Sequence, residues 1–347
     1  MCRSPDERKQ MKSVLERIDI GMIPGFKIGQ AGDREAGTGC TVFLGEDGMR
    51  AGLDVRGGGP ASRESELLKP AAAADIIHAV LLAGGSAFGL GAADGVMRYL
   101  QEKGIGLETG YALVPLVCQS DLYDLGVGDP TARPDSDMAY RACVDAQEGK
   151  EPASGSYGAG TGATVGKLCG ARRAMKSGIG FAAYRIGDLM VGAAAAVNAL
   201  GDIYDCQSGR KLAGLLAEDL AGFEDSEAVL YGLQQAAFDG TLFEAADKHG
   251  DIGNTTLGVV MTNGRFDKAQ LGKIAAMAQN GLARAIRPVH TMADGDTVYA
   301  LSAGDVQADI NAVGTLAAKT MSEAIKDAVL NSESDYGLKS ARDSISI

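Results

Sequence analysis

The sequence predicts an α/β fold in which glycine-rich turns sit where strands meet helices, and three observations carry that prediction. The first is a continuous apolar run of strand length, Ala74 to Ala83, followed by Gly84-Gly85-Ser86-Ala87-Phe88-Gly89-Leu90-Gly91 and then helical spacing from Ala92 to Lys103. The second is the order after Thr255: strand (Thr255 to Thr262), helix (Asp267 to Ala285), strand (Thr297 to Ser302), helix (Val306 to Val329). The third is a pair of apolar strands, Ile179 to Ile186 and Leu189 to Leu200, separated only by Gly187-Asp188. That link is too short for a parallel crossover, so part of the sheet is antiparallel.

Composition sets the bounds. A chain of 347 residues, 46% hydrophobic, suffices for one large α/β domain or two smaller ones. Its 49 glycines have no collagen-like period and cluster between apolar runs, which points to tight turns and close backbone approaches. A formal charge of -12 without a basic stripe argues against nucleic acid or an anionic membrane as partner; a small neutral or cationic substrate is easier to accommodate. Cys2, Cys40, Cys118, Cys143, Cys169 and Cys206 are widely spaced with no C-x-x-C pair, a pattern of reduced, mostly buried thiols rather than a disulfide framework or zinc site. Met1 to Gln10 has no secretory apolar core, and Ile76 to Met97 and Gly192 to Leu200 are too short or too interrupted to span a membrane. The expected location is the cytoplasm.

In chain order, Met1 to Met11 reads as a solvated lead-in, Lys12 to Asp19 as a short helix or arm, and firm order begins near Phe26. Gly39 to Leu44 and Met49 to Val55 read as two strands of a hairpin around Glu46-Asp47-Gly48. The loop Asp54 to Glu64, with Gly57-Gly58-Gly59-Pro60, offers backbone N–H groups to an anion or a carbonyl oxygen. The turn at Ser86 matches neither a nucleophile elbow nor a dinucleotide fingerprint, so a glycine-lined helix start is the better account. Asp121, Asp124 and Asp129 lack calcium-loop spacing and read as solvated loop carboxylates. Ser136 to Gln147 reads as a helix with Ser136 as N-cap. The densest glycine cluster, Gly155 to Gly166, is not a phosphate loop, because Lys167 is followed by Leu168; it reads as a close-packed turn lining a narrow pocket. Something must pack tightly on the small residues Gly192 to Ala196. Asn198, a lone amide ending that strand, is either a satisfied turn residue or a donor placed for an oxyanion. Gln207 to His249 reads as a mainly helical surface excursion.

That excursion leads to Asp251-Ile252-Gly253-Asn254-Thr255-Thr256-Leu257, where a flexible approach delivers Thr255 to the lip of a buried strand ending at Asn263-Gly264. Thr255 either begins a strand and does nothing more, or is a nucleophile that self-cleavage exposes as a new N-terminus. In the second case its own α-amino group, with a pKa of about 7.7 to 8.0, is a built-in base for an otherwise weak hydroxyl. Downstream, Asp294-Gly295-Asp296 places two carboxylates at a strand start, suited to orienting an amine or taking up a proton. His290 lies close in sequence, but no Ser/His/Asp spacing accompanies it.

Together, Gly253-Asn254-Thr255-Thr256, Asp54-Val55-Arg56-Gly57-Gly58, Leu82-Ala83-Gly84-Gly85-Ser86-Ala87-Phe88-Gly89-Leu90, Gly158-Ala159-Gly160-Thr161-Gly162 and Val197-Asn198 resemble, in the same order, the DmpA-type L-aminopeptidase/D-amidase-esterase family, which includes the β-peptidyl aminopeptidases. The resemblance spans roughly Gly21 to Gly304. It implies a four-layer αββα sandwich like that of the N-terminal-nucleophile hydrolases but with distinct connectivity. It also implies self-cleavage between Asn254 and Thr255, giving a 1-254 α-chain and a 255-347 β-chain that together form one domain and a homo-oligomer. The implied activity is aminopeptidase or amidase action on small peptides, amides or esters through an acyl-enzyme on Thr255, without metal or cofactor. By the same resemblance Asn198 helps hold the oxyanion, while Asp294 and Asp296 align with a serine and an acidic residue that orient the nucleophile. A self-cleaving acyltransferase of ornithine-acetyltransferase type and a non-catalytic glycine-rich nucleotide-binding protein are the alternatives.

Overall fold

The computed structural model describes residues 14–239 and 253–344. The expected lead-in Met1 to Met11, Cys2, the end of the excursion toward His249, and Asp251-Ile252 lie outside the described residues. Ten strands make one long, bent sheet: β1 (Glu16–Ile18), β2 (Lys27–Asp33), β3 (Thr38–Val55), β4 (Ala61–Arg63), β5 (Ile77–Ala83), β6 (Val117–Asp121), β7 (Ile179–Ile186), β8 (Leu189–Asn198), β9 (Thr255–Gly264) and β10 (Thr297–Val306). Their order is β1-β7-β8-β9-β10-β3-β5-β6-β4, with β2 added on β3. The five longer helices are α1 (Ala93–Glu102), α2 (Ser136–Glu148), α3 (Ser226–Phe238), α4 (Lys268–Ala285) and α5 (Ile310–Leu330).

The sheet folds on itself at β3. Residues 39–55 are therefore not the expected hairpin. They belong to one 18-residue strand, Thr38–Val55, whose first part pairs with β2 and β5 and whose last part pairs with β10. Residues 45–48 shift the register against β5 between Leu44 and Met49, with Gly48 at φ 87°, so the glycine signal marks an irregularity within a strand and not a chain reversal.

Bending creates three apolar layers. Phe43, Val80, Leu257 and Tyr299 fill the space between the two halves of the sheet. Leu271, Ile274, Met321 and Ile325 of α4 and α5 cover the outer face of β7 to β10, where they meet Ala193, Ala195 and Val260. Val96 and Leu100 of α1 with Ala139 and Cys143 of α2 cover the outer face of β3 and β5. The result is helix, sheet, sheet, helix. Since both faces of each half are covered, the central strands are apolar on both sides and read as continuous runs. The alanine face of β8 is packed by α5, which approaches the neighbouring strand so closely that a Cβ on Gly180 would lie 2.2 Å from the Ala324 carbonyl oxygen.

Several sequence expectations change. Within the stretch expected as a short helix or arm, Glu16–Ile18 is a strand paired with Ala183 to Arg185, so order precedes Phe26. Asp135, not Ser136, caps α2, accepting from Met138 N at 2.8 Å. Asp121 and Asp124 are buried, not solvated, at 2% and 3% exposure; Asp129 is exposed. In the Gln207 excursion the described helix is only α3, preceded by the short strand Lys211–Ala213. Val306 ends β10, and α5 starts later, capped by Asp309 on Asn311 N and Ala312 N. Cys40, Cys118 and Cys143 are buried as expected, whereas Cys206 is exposed.

Candidate active site

The site forms because four strand ends meet at one end of the sheet. Antiparallel β8 and β9 place Asn198 opposite Thr255, and parallel β9 and β10 place the turn before Thr297 beside the residues before Leu257. An isolated bridge between Asn254 and Asp294 continues that parallel pairing past the strands. Antiparallel β3 ends at the same level, Val55 facing Thr297, which brings in Gly57 to Gly59. Thus Thr255, Asn254, Asn198, Asp294 and Asp296 are brought together from three segments remote in sequence.

Thr255 is 4% exposed and its hydroxyl donates to the carbonyl oxygen of its own neighbour Asn254 at 2.5 Å. That oxygen also accepts the backbone N–H of Gly295 at 2.8 Å. The glycine is required: a Cβ on Gly295 would lie 2.8 Å from Thr255 Oγ1 and 2.8 Å from the Gly59 carbonyl oxygen.

The two carboxylates of the Asp294-Gly295-Asp296 turn are buried and do different things. Asp296 Oδ1 accepts Thr256 N at 2.7 Å and so fixes the residue after Thr255, while Oδ2 accepts His290 N at 3.0 Å and pairs with His290 Nδ1 at 2.9 Å. Asp294 holds the turn itself, accepting from Thr291 Oγ1 (2.5 Å), Thr291 N (3.0 Å) and Leu200 N (3.3 Å). Burial raises the pKa of the Asp294 carboxyl above the usual carboxylate value, and the charge of Asp296 raises it further. The loop after β3 offered N–H groups to an anion or a carbonyl; the structure uses the second option. Arg56 N and Gly57 N donate to the Asp296 carbonyl, Gly58 N to that of Thr291 and Gly59 N to that of Asp294.

Asn198 is fully buried, and its side-chain amide is hydrogen-bonded at both ends. Its Oδ1 accepts from Thr164 N (3.1 Å), Thr164 Oγ1 (3.3 Å) and Lys167 Nζ (2.9 Å), which leaves Nδ2 to donate to the carbonyls of Tyr123 (2.8 Å) and Gly253 (3.1 Å). The glycine cluster thereby orients the amide through Thr164. Beneath it the buried Lys176 ammonium donates to the carbonyls of Gly160 (3.3 Å), Ala163 (3.1 Å) and Ser177 (2.6 Å), and burial pulls its pKa down to about 7.

Lys167 is the site residue that sequence reasoning passed over. Its Nζ donates to Gly253 O at 2.7 Å, beside Asn198 Nδ2 on the same oxygen, and to Asn198 O at 3.0 Å. Read against a phosphate loop it merely failed the pattern; its only signal was a cation closing a buried glycine cluster. His290 and Thr291, which orient the two carboxylates, carried no spacing signal either. Ser86 makes none of these contacts, and its backbone N–H donates to Leu122 O at 3.0 Å. Beside Gly253 and Asn254 opens a cavity of about 350 Å³, lined among others by Tyr123, Lys167, Arg172, Leu220 and Tyr336. Among the described residues no group of three or more His, Cys, Asp or Glu is arranged to hold a metal ion, and no helix is long and apolar enough to cross a membrane.

The chain as a whole is similar to known proteins. The chain is 38% identical over 322 residues to an uncharacterized aminopeptidase of Mycobacterium leprae (86% of this chain, 84% of the relative). It is 30% identical over 319 residues to a 6-aminohexanoate-oligomer endohydrolase of Agromyces sp. (88% and 84%). Among solved structures, a Burkholderia sp. beta-aminopeptidase superposes with a TM-score of 0.65 at 18% identity, covering 90% of this chain and 86% of that one. An L-aminopeptidase D-Ala-esterase/amidase from Ochrobactrum anthropi, described as a variant of the Ntn-hydrolase fold, gives 0.62 at 16% identity with the same coverages. The fold is that of the Ntn-hydrolase aminopeptidases, and since the model of peptidase family S58 matches residues 19–342, the chain belongs to that family of hydrolases.

Proposed function

We propose that the chain cuts its backbone between Asn254 and Thr255 and then, with Thr255 as N-terminal nucleophile, hydrolyses small peptides, amides or esters as an aminopeptidase or amidase. The observation that carries this reading is the pairing at the scissile carbonyl: the Thr255 hydroxyl lies 2.5 Å from Asn254 O, and Gly295 N–H is already aimed at that oxygen from 2.8 Å. Attack of Oγ1 on the Asn254 carbonyl carbon puts negative charge on an oxygen with a donor in place. Collapse breaks the C–N bond, and the proton leaving the hydroxyl ends on the new Thr255 amine. Water then hydrolyses the Asn254 ester, restoring the hydroxyl and leaving an Asn254 carboxylate.

In turnover the freed amine takes the hydroxyl proton and passes it to the departing amine of the substrate. The acyl group stays as an ester on Thr255 until water removes it. In the uncut chain Asn198 Nδ2 and Lys167 Nζ share one carbonyl oxygen, that of Gly253. Once that segment leaves, both donors face the place a substrate carbonyl enters, a two-donor oxyanion site. Asp296 holds the strand start through Thr256 N, and Asp294 keeps the turn that carries Gly295. The two pieces remain one domain, because β9 and β10 of the C-terminal piece lie between β8 and β3 of the N-terminal piece.

The test is a pair of variants. Thr255→Ala stays full length and inactive, whereas Ser86→Ala still cuts and turns over; a cut Thr255→Ala reverses the assignment. In the active protein a slow substrate leaves its acyl mass on the fragment that begins with Thr255. Delivery of that acyl group to an added amine in preference to water would make the enzyme a transferase.

A further inference from the structure

His290 is held in a backbone conformation that few residue types adopt. Its φ of 58° lies in the left-handed region, where Asn, Asp and His are the non-glycine residues most enriched. In that conformation one residue brings two donors to one oxygen: its backbone N–H at 3.0 Å and its Nδ1 at 2.9 Å both meet Asp296 Oδ2. A carboxylate oxygen only accepts, so Nδ1 is the ring nitrogen that carries the proton. Nε2 is buried and has no partner among the described residues, which leaves Asp296 as the ring's polar attachment.

The adjacent residue tethers the other carboxylate in the same way. Thr291 reaches Asp294 Oδ2 through both its backbone N–H and its hydroxyl. The two carboxylates differ in what their remaining oxygen does. Asp294 Oδ1 accepts Leu200 N at a long 3.3 Å, whereas Asp296 Oδ1 accepts Thr256 N at 2.7 Å. Only the second bond holds the strand that starts at Thr255. Thr256 is fully buried and its hydroxyl has no partner among the described residues, so its side chain adds nothing polar to that anchorage. A turn of the Asp296 carboxylate would draw Oδ1 away from Thr256 N and leave a buried N–H without an acceptor.

We propose that His290 is a positioning residue for both self-cleavage and turnover. Its Nδ1–H locks the Asp296 carboxylate in the one orientation that keeps Oδ1 on Thr256 N, and so keeps the Thr255 hydroxyl within reach of the carbonyl it attacks. Among the described residues no hydrogen bond joins His290 to Thr255 or Asn254, so the effect passes through Asp296. The inference rests on the hydrolase reading above for the reaction it serves. Its scale is that of misplacing a nucleophile by about 1 Å, which costs about 10²-fold in rate.

The experiment compares His290→Asn with His290→Asp, two side chains of one shape that both tolerate left-handed backbone. The amide of the first donates where Nδ1 did; the carboxylate of the second cannot. Each full-length chain is followed into its two fragments by intact mass, then assayed for kcat and KM on a panel of aminoacyl p-nitroanilides, with thermal melting to establish folding. His290→Asn is expected to mature and turn over within about threefold of wild type, and His290→Asp about 10–100-fold more slowly with KM changed by less than about threefold. His290→Gly keeps the backbone N–H and removes only the ring; it is expected to behave as His290→Asp and replaces it if that protein does not fold. Folded Asp and Gly variants that match wild type in both rates overturn the inference, and so does an Asn variant as slow as the Asp one. Wild-type protein that matures but hydrolyses none of the panel overturns the hydrolase reading alone, and the maturation rates of the variants then decide the inference. Wild-type protein that does neither overturns both.

Discussion

Replacing Gly295 by alanine tests the proposed self-cleavage without touching Thr255. The added Cβ would stand 2.8 Å from Thr255 Oγ1 and 2.8 Å from Gly59 O, both inside the closest approach a real Cβ makes. Gly59 O cannot retreat freely, because the loop around it is tied to the 291–296 turn by four backbone hydrogen bonds, from Arg56, Gly57, Gly58 and Gly59. The hydroxyl must therefore rotate to another staggered position, away from the Asn254 carbonyl, or the turn must shift and carry Gly295 N–H off the 2.8 Å line to Asn254 O. Loss of one preorganised donor of this kind slows a reaction by about 10²–10³-fold, and Gly295→Ala is expected to mature at least about 10²-fold more slowly than wild type. The assay follows conversion of freshly made full-length chain into two fragments by intact mass, with thermal melting to establish folding. Gly272→Ala, where a Cβ meets nothing within 4 Å, is the control. A folded Gly295→Ala protein that matures within about threefold of wild type would refute the argument, since such a factor lies well below the value of one oxyanion donor.

Other perturbations separate the remaining groups. Lys167→Met removes a charged donor from Gly253 O and Asn198 and should lower kcat of processed enzyme by about 10–100-fold, with Lys167→Arg intermediate; an unchanged kcat would remove Lys167 from the site. Lys176 has its pKa pulled from 10.5 to about 7 by burial, so between those values the unfolded chain binds more protons at this position than the folded one, and its contribution to stability rises with pH. The melting temperature of wild type relative to Lys176→Met should therefore climb from pH 7 to pH 9; a flat difference contradicts a neutralised buried lysine. Asp121 is buried with its pKa raised well above the ordinary value, chiefly by desolvation, so Asp121→Asn should melt within a few degrees of wild type at pH 7. A large loss of stability would mean the carboxylate is charged in the fold.

The fold was legible wherever hydrophobic period and turn chemistry agreed. β7 and β8 flank Gly187-Asp188 as read, and the strand–helix–strand–helix order after Thr255 holds with ends moved by a few residues. Residues 39–55 misled because a glycine-containing polar stretch marks a hairpin turn and an irregularity within a strand alike, and only pairing with β10 tells them apart. The buried carboxylates Asp121 and Asp124 misled for a related reason: solvation was inferred from loop-like neighbours, while the partners that pay for burial, Gln119, Thr38 and Gly85 N, are set by tertiary structure. At the site, Asn198 stood out as a lone amide ending an apolar strand, and the Asp294-Gly295-Asp296 turn as two carboxylates at a strand start. Lys167, His290 and Thr291 act through contacts with residues that no periodicity links to them.

The most direct measurement is the intact mass of the purified protein under denaturing conditions, with N-terminal sequencing of any fragment. Self-cleavage at the geometry seen here predicts two pieces, the smaller beginning Thr-Thr-Leu-Gly, that elute together under native conditions. A chain that stays whole through long incubation, or one cut at any bond other than Asn254–Thr255, would contradict the role given to Thr255.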